Sequence, residues 1–175
     1  MEQLKLNIWN SFKRTLVYYT GVRMLLKLFI KPFRSYNKIT DIPIEEIIYM
    51  KEIHNIKGII LDMDGTIKHY KHGVSKATSA WIENVKKEMD ICLLSNANQG
   101  YVKDIAEMLN LKYVNNARKP FKSGFTKAVE VLGINRENIL LIGDALIADV
   151  IGSKKNKISK VFLVKDLNRK KKIKN

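Results

Sequence analysis

The stretch Ile59-Ile60-Leu61-Asp62-Met63-Asp64-Gly65-Thr66 decides how this chain is read. Ile59 to Leu61 form a short, β-rich apolar run after Gly58, the pattern of a buried strand. That strand ends in two carboxylates, Asp62 and Asp64, with Gly65 and Thr66 directly behind them. Carboxylates held so close repel one another, and burial disfavours their charged forms. The usual remedy is a cation, and Mg²⁺ takes one or two carboxylates together with phosphate oxygens. A strand that runs into a polar Asp-Gly turn would account for the dipeptide by itself, so the rest of the chain has to decide.

Three further segments do so in order. Ile91 to Leu94 is a second apolar run and ends in Ser95-Asn96. Lys119-Pro120 follows a third short segment, Lys112 to Val114. Ile139 to Ile142 is a fourth and ends in Gly143-Asp144, with Asp149 five residues beyond Asp144. Each polar group stands just past a predicted strand, which is where open parallel sheets bind ligands.

The motifs D-M-D-G-T, L-L-S-N, R-K-P and G-D-A-L-I-A-D resemble the four motifs of the haloacid dehalogenase (HAD) superfamily, over roughly residues 56–164. The I-K-G-I-I-L-D-M-D-G-T context and the upstream K-L-F-I-K-P-F segment further resemble the YqeG-type branch, which is similar to phosphatidylglycerophosphate phosphatases. Gly65, Ala145 and Ala148 differ from the residues common in that branch, but they leave the phosphatase motifs intact.

The resemblance implies a Mg²⁺-dependent phosphatase. Asp62 would be the nucleophile and Asp64 the general acid and base. Asp62, Asp144, the backbone carbonyl of Asp64 and, as an outer partner, Asp149 would hold the metal. Ser95 and Lys119 would hold the phosphoryl oxygens, with Thr66 fixing the Asp62 loop and Asn96 beside it. Other readings stay open: Lys122 is a rival to Lys119, Ser95 is also a plausible helix cap, Asn96 a turn residue and Asp149 a local partner.

Between the motifs, Ser75–Met89, Gln99–Leu109, Lys122–Leu132 and Ala145–Lys155 read as helices, and a further helix runs from Thr40-Asp41 to about His54. Strands alternating with helices predict a doubly wound, parallel five-stranded α/β sheet, a Rossmann-like HAD core. The strands are Gly58–Asp62, Asp90–Leu94, Tyr113-Val114, Ile139–Ile142 and Val161–Val164. Only 28 residues separate Thr66 from Ser95 and 23 separate Ser95 from Lys119. One helix and one strand use up each gap, so no large cap domain fits. In this superfamily, the resemblance implies, a capless site serves bulky or surface-bound phosphates.

At 175 residues the chain has room for one core domain, 41–165, flanked by a basic N-terminal region, 1–40, and a basic tail, 166–175. The single cysteine, Cys92, lies within an apolar run, which excludes an internal disulfide and suits a reducing cytoplasm. His69-x-x-His72 lacks a zinc spacing.

The formal charge of +15 favours anionic partners such as phosphorylated substrates, an anionic membrane surface or nucleic acid, and the resemblance implies phosphatidylglycerophosphate as the substrate. Residues 1–40 carry eight Lys or Arg against the one acid Glu2, with Leu4, Ile8, Phe12 and Leu16 at helical spacing beside Trp9. Arg23 and Lys27 interrupt the best apolar run, and no cleavage site follows it, so neither a membrane span nor a secretory signal is expected. The N-terminus is expected to lie on the inner face of the membrane as a peripheral amphipathic segment, or else to pack on the core. Without an RRM-like or zinc module, a nucleic-acid function has only charge to support it.

Overall fold

The computed structural model of the protein describes residues 31–69 and 72–165. The chain divides into two compact units, Met1–Lys31 and Pro32–Asn175. The described fold is that of the second. The predicted N-terminal helical stripe and the basic tail lie outside the described residues.

Six strands form one sheet: β1 (Arg34–Tyr36), β2 (Gly58–Leu61), β3 (Asp90–Leu94), β4 (Lys112–Val114), β5 (Ile139–Gly143) and β6 (Lys160–Val164). Their order is β1-β6-β5-β2-β3-β4, and every pairing is parallel. All six carboxyl ends therefore emerge on one edge. The strand order reverses at β2, whose neighbours β3 and β5 lead outward in opposite directions. The crevice at such a reversal is where this class of sheet binds ligands.

β2 is the hydrophobic centre. Gly58, Ile59, Ile60 and Leu61 are all buried, with Ile59 between Ile91 of β3 and Leu140 of β5. A strand covered on both faces reads as a continuous apolar run, which is why it was visible in the sequence. Each such side chain contributes about 1.5–3 kcal/mol by leaving water. Burial also pushes the Cys92 thiol up to about 12, so this residue packs and does not react.

The sheet has six strands where five were expected. β1 was missed because Arg34-Ser35-Tyr36 is short, mostly exposed and without apolar alternation. Only the free edge of β6, not the strand's own composition, makes it a strand, and it falls inside the stretch read as the N-terminal region.

Helices α1 (Ile44–His54), α2 (Lys76–Lys86), α3 (Gln99–Met108) and α4 (Lys122–Leu132) cover the faces. Ser75 caps α2 by accepting the Thr78 N–H at 3.1 Å, and Gly133 closes α4 in the left-handed conformation at φ 68°. The buried stripe of α2 is Thr78, Trp81, Ile82 and Val85, while Ala77 is exposed. Trp81 anchors that helix by donating its Nε1–H to the Ile42 carbonyl at 2.8 Å. The two gaps that are too short for a cap hold α2 with β3, and α3 with β4.

The expected helix Ala145–Lys155 is different in kind. Leu146–Ile151 is a π-helical turn, and only Gly152–Lys155 (α5) is regular. The Val150 N–H reaches back five residues to the Ala145 carbonyl at 3.3 Å, alongside the Asp149 N–H at 2.9 Å. The Asp149 carboxylate meanwhile accepts the Ala145 N–H at 2.9 Å. A side chain that turns back to hold the start of its own helix widens the turn, and such bulges are frequent at functional sites.

Candidate active site

Four loops at the carboxyl edge bring the acidic and basic residues together. Asp62 continues β2 by donating its N–H to the Ile142 carbonyl at 2.9 Å, which leaves its carboxylate at the end of the sheet. Asp144 directly follows β5, the strand across the crevice. Asp149 comes up from the π-turn and is completely buried. One oxygen from each of Asp62, Asp144 and Asp149 lies within 4.8 Å of the other two.

Lys119 enters this cluster from the loop before α4. Its Nζ donates to Asp62 Oδ1 at 2.5 Å and to Asp149 Oδ1 at 2.7 Å, in a pocket that leaves the side chain 3% exposed. Burial alone would lower the affinity of this amine for its proton. The two carboxylates outweigh burial and hold it charged above the ordinary lysine range. Burial likewise pushes the Asp149 carboxyl up, against the attraction of Lys119. Lys122 is exposed on the first turn of α4, and of the two lysines it is Lys119 that contacts the carboxylates.

The supporting contacts are local. The Thr66 hydroxyl donates to Asp62 Oδ2 at 3.0 Å and stands 3.4 Å from Asp144 Oδ1, bridging the two carboxylate loops. Asn96 grips the backbone of Lys119: its Oδ1 accepts the Lys119 N–H at 2.7 Å and its Nδ2 donates to the Lys119 carbonyl at 3.3 Å. Asn96 thus fixes the lysine loop and is more than a turn residue. Ser95 is buried at the end of β3, where its Oγ accepts the Ala97 N–H at 3.1 Å.

Asp64 is not part of the carboxylate cluster. It faces the Tyr101 hydroxyl, 3.3 Å from Oδ1, and the Lys68 ammonium, 4.0 Å from the same oxygen. Lys68 is buried and sits 4.3 Å over the Tyr101 ring. Burial raises the Asp64 carboxyl above its ordinary range; Lys68 pulls the other way and Asp62 adds to the rise. Sequence reasoning missed Lys68 and Tyr101. The lysine two residues past Thr66 was the one available signal, since a buried loop lysine needs a carboxylate partner. Asp149, expected as an outer partner of a metal or else a local partner, is buried and pairs directly with Lys119. His69 and His72 lie together, ring centroids 5.0 Å apart, in the loop after Thr66.

Packing leaves no slack under Asp149. A Cβ on Gly143 would stand 2.5 Å from both Cγ and Oδ2 of Asp149. Gly143→Ala is therefore expected to destabilise the fold by about 1–3 kcal/mol and to lower turnover by displacing that carboxylate. Urea unfolding measured alongside phosphatase activity checks this, and wild-type values for both would contradict it.

A parallel sheet with no cap domain among the described residues, and with clustered carboxylates and a buried lysine at its reversal point, is the frame of a HAD-type phosphatase. The chain belongs to the YqeG-type family of HAD phosphatases: it is 31% identical over 142 residues to the "Probable phosphatase YqeG" of Bacillus subtilis (strain 168), a match covering 80% of each chain. Residues 116–174 also match the family described as HAD-hydrolase-like. Among solved structures, a predicted HAD-like family hydrolase from Porphyromonas gingivalis superposes with a TM-score of 0.53 at 14% identity, covering 65% of this chain and 93% of its own. An uncharacterized protein from Listeria monocytogenes serotype 4b also gives 0.53, at 17% identity, covering 62% and 78%. At those identities the two structures speak for the fold alone.

Proposed function

We propose that this phosphatase is a Mg²⁺-dependent phosphomonoesterase working through an aspartyl-phosphate on Asp62, and that its substrate is phosphatidylglycerophosphate at an anionic membrane surface. The observation that carries the reaction is the gathering of Asp62, Asp144 and Asp149 at one point of the sheet edge, with the Lys119 ammonium on Asp62 and Asp149. Asp62 and Asp149 share one ammonium in a mostly buried site, close carboxylates there are costly without further positive charge, and hard carboxylate oxygens suit Mg²⁺. Asp62, Asp144 and Asp149, with the backbone carbonyl of Asp64, would hold the ion, which when bound offsets a repulsion between Asp62 and a phosphate of ~4 kcal/mol per charge pair at 4 Å and an effective dielectric of 20.

The chain's own residues supply the rest. An Asp62 oxygen forms a bond to phosphorus as the bond to the leaving oxygen breaks, and Asp64 gives that oxygen its proton. Asp64 then takes a proton from water as the water attacks phosphorus, which frees Asp62 and inorganic phosphate. The raised Asp64 carboxyl supports the acid role. Ser95 and Lys119 counter the charge on the phosphoryl oxygens.

Two features support a surface-bound substrate. Among the described residues no cap domain covers the site. Phe121 is 70% and Ile147 51% exposed, on the very loops that carry Lys119 and Asp149, with Arg118 and Lys122 exposed beside Phe121. Apolar side chains among cations are what an anionic interface accepts. Among the described residues no helix is long and apolar enough to cross a membrane.

The full chain is expected to sediment with anionic vesicles and to ignore neutral ones. Each basic residue near the surface adds about 1 kcal/mol, and salt should release the protein. Removing residues 1–31, which leaves β1 in the sheet, should weaken that binding. With Mg²⁺ the protein should cleave phosphatidylglycerophosphate in preference to nucleotide and sugar phosphates, and a chelator should stop it. Equal partition onto both vesicle types, together with a preference for a soluble phosphate, would make this a soluble phosphatase instead.

A further inference from the structure

We infer that a basic cavity beside the catalytic loop binds a second anionic group carried by the leaving group of the substrate. This rests on the assignment of Asp64 as the general acid. The cavity measures about 330 Å³. Lys38 and Thr40 reach it from the turn after β1, Lys68, His69 and His72 from the loop after Thr66, and Ser75 from the cap of α2. No described Asp or Glu lines it.

Lys68 connects the cavity to the chemistry. It lines the cavity and also lies 4.0 Å from Asp64 Oδ1. A general acid must reach the departing oxygen, so it stands on the leaving-group side of the phosphorus. Whatever hangs from that oxygen extends past Asp64, toward Lys68 and the space behind it. Ile39, Ile67, Gly73 and Ala77 also line the cavity. Its polar groups are the Lys38 ammonium, the two imidazoles and the hydroxyls, with the stem of Lys68 leading toward Asp64, and no described carboxylate stands among them to favour a cationic leaving group. They offer charge-assisted donors to a phosphate or phosphodiester. The α2 N-terminus points its partial positive charge the same way, a smaller contribution.

Size narrows the ligand further. A volume of this order sits near the lower limit of small-molecule sites, about 300–1,000 Å³, so it accepts a polar headgroup and excludes acyl chains. The shared chemistry is a second phosphate a few atoms from the cleaved one, carried either as the phosphodiester of a lipid headgroup or as the other monoester of a soluble bisphosphate.

The test compares three substrates on the full chain with Mg²⁺: short-chain phosphatidylglycerophosphate, fructose 1,6-bisphosphate and p-nitrophenyl phosphate, which has no second anion. Wild type should show a higher kcat/KM on one of the doubly anionic substrates than on p-nitrophenyl phosphate. Lys38→Ala with His72→Ala should lower that ratio about tenfold or more through KM, the scale of losing a charged hydrogen bond. Lys38→Arg should preserve it. Both residues are exposed, and His72→Asn alone serves as a second variant on a separate segment. A ratio that does not change in the variants, or a wild type with no preference for a second anion, would overturn the assignment. If the preference is for the soluble bisphosphate and the variants erase it, the cavity stands and the lipid reading falls. If the lipid is preferred and the variants leave the ratio intact, the lipid reading stands and the cavity assignment falls.

Discussion

Asp62→Asn is expected to abolish Mg²⁺-dependent phosphatase activity, by at least about 10⁴-fold, the scale seen when a covalent nucleophile is removed. The fold should survive. The asparagine oxygen can still accept the Thr66 hydroxyl that now bonds Asp62 Oδ2, and Lys119 keeps Asp149 at 2.7 Å. Removing one of three crowded carboxylates also relieves repulsion, which offsets the lost attraction to Lys119. A thermal melt close to wild type with no turnover is the expected pair of results. Asp64→Asn should differ in kind: it slows both chemical steps but still allows a beryllofluoride adduct to form on Asp62. Near wild-type turnover in Asp62→Asn would reject the nucleophile, and a phosphoryl group found on Asp64 would exchange the two roles.

Lys119→Met should fail on both counts. It keeps the volume of the side chain but leaves Asp149, fully buried, beside Asp62 and Asp144 with no cation between them. Breaking a buried ion pair from one side typically costs 3–5 kcal/mol, and that is about the loss of stability expected here. Turnover should fall by about 10²–10³-fold, as for loss of one preorganised charge at the transition state. Mg²⁺ should restore stability to the variant more than it does to wild type, because a cation replaces the missing ammonium. Urea unfolding with and without Mg²⁺ measures both. A variant as stable as wild type in the absence of metal would show that the carboxylates are not packed as described.

Much of the fold could be read in the chain because the central strands are buried on both faces. Residues 59–61, 91–94 and 139–142 had to be continuous apolar runs, and continuous runs separated by helical stripes leave few topologies. The polar residues that end those runs were equally visible, since a carboxylate or lysine at the end of a buried strand has few uses apart from a site. β1 could not be seen this way. Its identity as a strand comes from the free edge of β6, which no property of Arg34-Ser35-Tyr36 announces.

The inner arrangement of the site belonged to the tertiary structure. Local sequence could not choose between Lys119 and Lys122, because both follow the same loop and only its path, held by Asn96 across 23 residues, aims one of them at Asp62. Whether Asp149 paired locally or served a metal was open in the sequence; the π-turn carries it inward against Lys119. Lys68 and Tyr101 became partners of Asp64 only when separate loops met at the sheet edge. The sequence by itself determined the family, the parallel sheet and the residue types at its carboxyl edge, because burial and strand periodicity act over a few residues at a time. Which charge touches which was decided by the tertiary structure, since ion pairing acts through space over about 3 Å and depends on the backbone paths of elements far apart in the chain.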